Sequence, residues 1–290
     1  MSAIRVMGVE RAELGECPVW DDDTGSLLWI DITTGRILRH HLGGEGTADT
    51  EVARFDQPVG AIAPCRGGGL LAALADGIVH RDPEGRIERL VDTSRSAPRH
   101  RFNDGACDSR GRFFTGSTAL EFGSELGALY RLDPDGTFTV ALDGLAFPNG
   151  IVLTPDGKKL YLAESQKNCV HVYEVTGPGK VGKRKLFADL PRKREMTPQI
   201  DNQPDGMCLD AAGNLYVAHY GMKQVQVLNP EGKLIRQFDG GNVTTSNVAF
   251  SGPKMDQLFI TGGIGPEAGE GGLFRIDIGV KGLVILTAKK

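Results

Sequence analysis

Apolar runs of four to seven residues recur along the whole sequence, rich in Val, Ile, Leu, Phe and Tyr. Each is bounded by a cluster of Gly, Pro, Asp or Asn. "KLYLAES" (159–165) and "NLYVAHY" (214–220) are examples. Runs this short between turn residues predict many strands joined by tight turns. No window carries a sustained 3.6-residue apolar period with caps, so no helix is predicted.

The strands repeat. "FPNGIVLTPDGKKLYLAES" (147–165) and "QPDGMCLDAAGNLYVAHYG" (203–221) each read Pro, then Asn or Asp, then Gly, an apolar run, a polar turn and a second apolar run. The turns fall at Gly157 and Gly213. Equivalent turns fall at Gly25, Gly68 and Gly111, and a weaker sixth copy has its turn near Met255. The separations are 43, 43, 46, 56 and 42 residues. A period in the forties with four strands per unit is the signature of propeller blades. The prediction is an all-β fold, a six-bladed β-propeller of four-stranded antiparallel blades, forming a single domain over 1–290. A second turn, ending at Gly85, Gly136 and Gly232, joins the third and fourth strands. Blade three carries extra residues at 117–128, and 190–203 accounts for the longest spacing. Both are expected to flank one mouth of the channel and shape substrate choice. A terminal blade needs a strand from the other chain end, and "AIRVMGV" near the start and "GLVILTA" near the end are the available segments.

Eight residues before each turn, or nine in the first copy, one position per blade reads Glu16, Gly60, Asn103, Asn149, Asp205 and Asn247. The first strand of a blade is innermost, so these positions converge at one mouth of the channel. Asn-Gly and Asp-Gly pairs are ordinarily turn signals, as Pro155-Asp156-Gly157 is. Pro204-Asp205-Gly206, however, precedes its strand. Oxygen-bearing side chains at five equivalent positions call for a partner such as a hard divalent cation. The second strands return to the same mouth and bring Ser117, Glu164, His219 and Tyr220 near it as outer-layer groups. For His219 an ordinary hydrogen-bonded histidine is an equal reading.

Composition narrows the partners. The chain has 290 residues, 40% apolar and 24% charged, with a net charge of −4. These values suit a soluble globular protein and weigh against nucleic acid or anionic membrane. No apolar run approaches a membrane span, and no signal-peptide core opens the chain, so a cytoplasmic location is expected. Cys17, Cys65, Cys107, Cys169 and Cys208 show no CxxC spacing and read as reduced thiols. "GPGKVGKR" (177–184) approaches a phosphate-binding loop but ends in Arg184 and leads into a strand, so it reads as a basic hairpin turn. No GxSxG or HExxH occurs, and the histidines lack zinc spacing.

"GECPVWD", "RFNDG", "FPNGIVLTPDGKKLYLAES" and "QPDGMCLDAAGNLYVAHYG" resemble, in order, the motifs of the family of senescence marker protein (regucalcin), gluconolactonase and luciferin-regenerating enzyme. The resemblance implies a propeller with one catalytic metal in its mouth and hydrolysis of sugar-acid lactones. It implies metal ligands at Glu16, Asn149 and Asp205 and substrate contacts at Arg101 and Asn103. A further substrate contact falls on Glu121, in a loop that varies. Cys17 stands where many relatives have Gly, with little effect expected. The metal expected is a single divalent ion, Ca2+ first, with Zn2+, Mn2+ or Mg2+ as alternatives. Asp205 is the expected catalytic residue, general base and then acid. The partner expected is a small-molecule lactone, bound by a monomer or weak homodimer. Two other readings stay open: a phosphotriesterase or aryl-esterase on the same fold, and a non-catalytic calcium-binding or docking propeller.

Overall fold

The structure, a computed structural model, describes residues 4–8, 10–42, 48–121, 126–177, 179–190, 202–264, 271–283 and 286–289. These residues form six four-stranded antiparallel sheets in a ring, a six-bladed propeller. Blade 1 is Gly15–Asp21, Ser26–Asp31, Arg36–His41 and Thr50–Arg54. Blade 2 is Val59–Pro64, Leu70–Leu74, Gly77–Arg81 and Ile87–Asp92. Blade 3 is His100–Cys107, Phe113–Ala119, Gly127–Leu132 and Phe138–Leu145. Blade 4 is Pro148–Leu153, Lys159–Glu164, Cys169–Thr176 and Lys180–Asp189. Blade 5 is Gln203–Leu209, Leu215–Tyr220, Gln224–Leu228 and Leu234–Asp239. Blade 6 is Thr245–Ser251, Gln257–Gly262 and Gly272–Ile276, completed by Arg5–Met7 from the chain start. Among the described residues the sole helical piece is the 3-10 turn Ser165–Lys167.

Each inner strand packs against the inner strand of the next blade, and Thr245–Ser251 packs against Gly15–Asp21 to close the ring. The middle strands are therefore covered on both faces, which is why Ser26–Asp31 and Leu70–Leu74 read as unbroken buried runs. The outermost strands alternate or lie exposed, as in Leu234–Asp239.

All six predicted turns join first and second strands, and all six pivot residues have positive φ: Gly25, Gly68, Gly111, Gly157, Gly213 and Met255. Met255 holds φ 53 without being glycine, which is why its copy was the weakest in sequence. The turns at Gly85, Gly136 and Gly232 join third and fourth strands as predicted, and Gly177 and Gly179 lie between two paired antiparallel strands, with no helix following.

Of the two candidate closing segments, the N-terminal one is used: Val6 pairs with Phe274. "GLVILTA" forms no strand among its described residues. It makes single bridges, Gly282 to Asp210 and Ala288 to Cys65, across the channel end opposite the predicted ring. The strand Phe113–Ala119 ends, and the strand Gln203–Leu209 begins, at the ring end, next to the two segments expected as mouth insertions. Their residues 122–125 and 191–201 lie outside the described residues.

Candidate active site

Every inner strand carries a one-residue bulge at its mouth end. The register shifts fall at Glu16/Val19, Val59/Ala61, Phe102/Gly105, Asn149/Val152, Pro204/Met207 and Thr245/Asn247. A bulge re-aims a side chain out of the regular alternation. Each bulge includes the position that the sequence offset selects, and in four of the six blades that side chain lines one cavity.

Glu16, Asn103, Asn149 and Asp205 line one cavity of about 200 Å³, together with Leu14, Ile32, Arg101, Phe147, Ser165, Gln203, Pro204 and Tyr220. All four are buried. Gly60 holds the blade 2 position without a side chain, because a methyl there would overlap the Phe102 carbonyl of the next strand. Asn247 faces the lower part of the channel. Its Nδ2 donates to Glu16 Oε2 (2.8 Å), and its Oδ1 accepts from Val248 N (2.8 Å). Its oxygen is therefore turned away from the cavity, and of the carboxamides Asn149 is the better oxygen donor.

The electrostatics are those of a site short of positive charge. Burial, then the nearby Asp104 carboxylate, pushes Glu16 up to about 8. Burial, then Glu16 and Asp104, pushes Asp205 well above the usual carboxylate range, and a contact from the Asn149 carboxamide only partly offsets this. Asp205 Oδ1 is buried with no hydrogen-bond partner among the described residues. Burial lowers the Arg101 guanidinium against the opposing pull of Glu16 and Asp205. Its NH1 donates to Phe102 O (3.0 Å) and to Asn103 Oδ1 (2.8 Å). No cluster of three His, Cys, Asp or Glu side chains able to hold a metal occurs among the described residues. The cavity instead offers two carboxylates and a carboxamide oxygen. Two destabilised carboxylates and an orphaned oxygen fit a hard divalent cation, which takes oxygen ligands and supplies the missing charge.

Asp104 was not anticipated. It lies in the same bulge as Asn103, lines the channel below the ring, and accepts from Gly105 N (2.8 Å) and Ile151 N (3.0 Å). Burial raises it to about 6 in spite of those bonds. In sequence, "NDG" offered only the look of a turn. Ser165 was not anticipated either; it lines the cavity from the one-turn helix.

Of the outer-layer groups, only Tyr220 lines the cavity. Ser117 Oγ accepts from Ala128 N (3.2 Å). Glu164 is turned into an ion cluster, accepting from Ala146 N (2.9 Å), Lys167 Nζ (2.6 Å) and Arg184 NH1 (3.0 Å). His219 is fully buried with Nδ1 2.9 Å from Asn202 Oδ1. Glu121 is exposed and is not among the residues lining the cavity. Cys17, with φ 47, follows Glu16 in its bulge; its N–H donates to Glu16 Oε2 (3.0 Å) and its thiol is held by Ile62.

Residues 14–263 match the SMP-30/Gluconolactonase/LRE-like region family. The chain belongs to this family. The match spans every candidate ligand and contact named above. Among curated proteins, the chain is similar to the pentonolactonase XacC of Haloferax volcanii, with 33% identity over 97% of this chain and 96% of that protein. It is also similar to regucalcin of Gallus gallus, with 28% identity over 98% of each chain. Among solved structures, a regucalcin from Agrobacterium tumefaciens, described as a calcium-binding protein, superposes with a TM-score of 0.88. That alignment has 23% identity and covers 100% of this chain and 98% of that one.

Proposed function

We propose that the chain is a metal-dependent lactonase that opens the lactone ring of a sugar acid with water. The observation that carries this reading is the convergence of Glu16, Asn149 and Asp205 in one cavity beside Arg101 and Asn103, with both carboxylates destabilised. A relative named as a pentonolactonase, similar over nearly the whole chain, supports the substrate class. The regucalcin named as calcium-binding supports Ca2+ as the ion.

Glu16, Asn149 and Asp205 would hold the cation. When bound, it supplies positive charge that polarises the lactone carbonyl, acidifies water and compensates the two carboxylates. Asp205 takes a proton from the attacking water as its oxygen bonds to the carbonyl carbon. It returns that proton to the ring oxygen as the ester C–O bond breaks, leaving the open-chain hydroxy acid. Arg101 can only donate hydrogen bonds, so it addresses the carbonyl or hydroxyl oxygens of the sugar acid, and Asn103 sits beside it. Leu14, Ile32, Phe147 and Pro204 give the cavity apolar walls that limit water around the reacting atoms.

The test is a panel of aldonolactones, with aryl esters and phosphotriesters as controls, assayed with metal-stripped and metal-restored protein. The expected result is lactone hydrolysis that disappears on stripping and returns with Ca2+. Hydrolysis of the controls alone, or lactone hydrolysis indifferent to metal, would overturn the reading.

A further inference from the structure

A single line of hydrogen bonds crosses three blades beside the cavity. Arg101 NH1 donates to Asn103 Oδ1 (2.8 Å). Asn103 Nδ2 donates to Asn149 Oδ1 (3.2 Å). Asn149 Nδ2 donates to Ser165 Oγ (3.3 Å). Ser165 Oγ donates to the Pro204 carbonyl (2.7 Å). Both ends of this line are one-way groups: a guanidinium only donates, and a carbonyl only accepts. A serine hydroxyl has one proton, and here Pro204 takes it, so toward Asn149 the hydroxyl is an acceptor. Asn149 must then present its NH2 toward Ser165, on the side where it also contacts the Asp205 carboxylate, and its oxygen toward Asn103. Arg101 imposes the same direction from the other end, since reversing Asn149 would set its NH2 against that of Asn103.

We infer that Ser165 is a positioning residue for the metal centre, orienting the Asn149 carboxamide so that its oxygen faces the cation site. This rests on the metal-dependent reading above. Asn149 Oδ1 has two lone pairs. Asn103 uses one, and the other remains for the ion. Ser165 is suited to the task because it is itself fixed: it is buried, its N–H donates to Phe147 O (3.1 Å), and its carbonyl accepts from Asn168 N (3.1 Å). It also ties blade 4 to the peptide that immediately precedes Asp205, so one hydroxyl braces two ligands from different blades. Groups that orient metal ligands from outside commonly matter about tenfold to a hundredfold in metal affinity.

The experiment uses the full chain stripped of metal. Ca2+ binding is measured by calorimetry for the parent, Ser165→Ala, Asn149→Ala and the double variant. The Asn149 side-chain NH2 resonances are followed by NMR in the absence of metal. Ser165→Ala is expected to weaken Ca2+ binding about tenfold or more. It should cost clearly less in the Asn149→Ala background, because the effect runs through Asn149. The metal-free spectrum of the parent should show one Asn149 NH2 pair, and that of Ser165→Ala a broadened or doubled pair. Ser165→Thr, which keeps the hydroxyl, should restore a single pair. Binding by Ser165→Ala within twofold of the parent overturns the inference, as does an equal cost in both backgrounds or an unchanged single NH2 pair. A parent that binds no divalent ion overturns the metal reading instead, and the NMR comparison then still decides whether Ser165 orients Asn149.

Discussion

Asp205→Asn separates the electrostatic role of Asp205 from its shape. The two side chains are nearly isosteric, so the bulge at Pro204/Met207 and the ring geometry should survive. Charge is what changes. In the folded, metal-free chain Asp205 lies in a cluster with Glu16 and Asp104, all three raised by burial and Asp205 further by its two neighbours. A carboxyl with a raised folded pKa binds its proton more tightly folded than unfolded. Its ionised form therefore costs stability at neutral pH, about 1.4 kcal/mol for each unit of elevation. Removing it should stabilise the metal-free protein, read as a higher melting temperature. The same change removes one of two carboxylates from the cation site, so Ca2+ affinity should fall. It also removes the proton acceptor. A positioned general base is worth on the order of a hundredfold, or about 2.7 kcal/mol of barrier. Turnover of a lactone at saturating Ca2+ should drop by at least that factor, with metal occupancy checked by calorimetry in the same samples. Opposite signs for stability and turnover are the signature of a residue kept for chemistry rather than for folding. Near-parental turnover by fully loaded Asp205→Asn would remove Asp205 from the proton-transfer role. A metal-free variant less stable than the parent would refute the electrostatic account.

Three further outcomes are expected. Asn149→Asp adds a third carboxylate to the cation site; it should raise Ca2+ affinity in calorimetry while lowering lactone turnover, because more negative charge on the ion makes it a weaker Lewis acid. His219 is buried and burial depresses it to about 4 from 6.5, so below pH 6.5 the unfolded chain takes up a proton that the folded chain refuses. That lowers stability by about 3 kcal/mol on going from pH 6.5 to pH 4, and denaturant titrations of His219→Gln should lose this part of the parent's acid sensitivity. Gly60→Ala would drive a methyl into the Phe102 carbonyl, with Asn103 N also within 2.8 Å; the strand bearing Arg101 and Asn103 must shift, at a cost of about 1–3 kcal/mol in unfolding measurements and with a rise in KM for the lactone.

The parts legible in sequence are those fixed by one residue at a time. A left-handed turn selects glycine by itself, so six turns could be counted from their pivots, and the count was weakest where Met255 adopts φ 53 against its preference. The ring was legible because symmetry repeats it: one oxygen-bearing residue at a constant offset per blade is a statistical signal even though each copy looks like a turn. Where a property depends on two blades at once, no such signal exists. Arg5–Met7 and the C-terminal segment were equally strand-like; only packing against Gly272–Ile276 chose between them. Glu164, at the mouth end of the strand paired with that of Asn149, lies opposite Pro148, yet Lys167, Arg184 and the Ala146 N–H turn it into an ion cluster. Ser165 stands beside Glu164 in a stretch that reads as an ordinary strand end, and its importance comes from Pro204, 39 residues away on the next blade. The bulges add the remaining step. In a regular strand the alternation of side chains would send Asn103 and Asp104 to opposite faces. The extra residue between Phe102 and Gly105 instead keeps both along the channel, Asn103 in the mouth cavity and Asp104 in the passage below it. Part of what makes the site receptive to a cation, the repulsion from Asp104 that adds to burial, is therefore placed by a backbone irregularity that residue types alone do not encode.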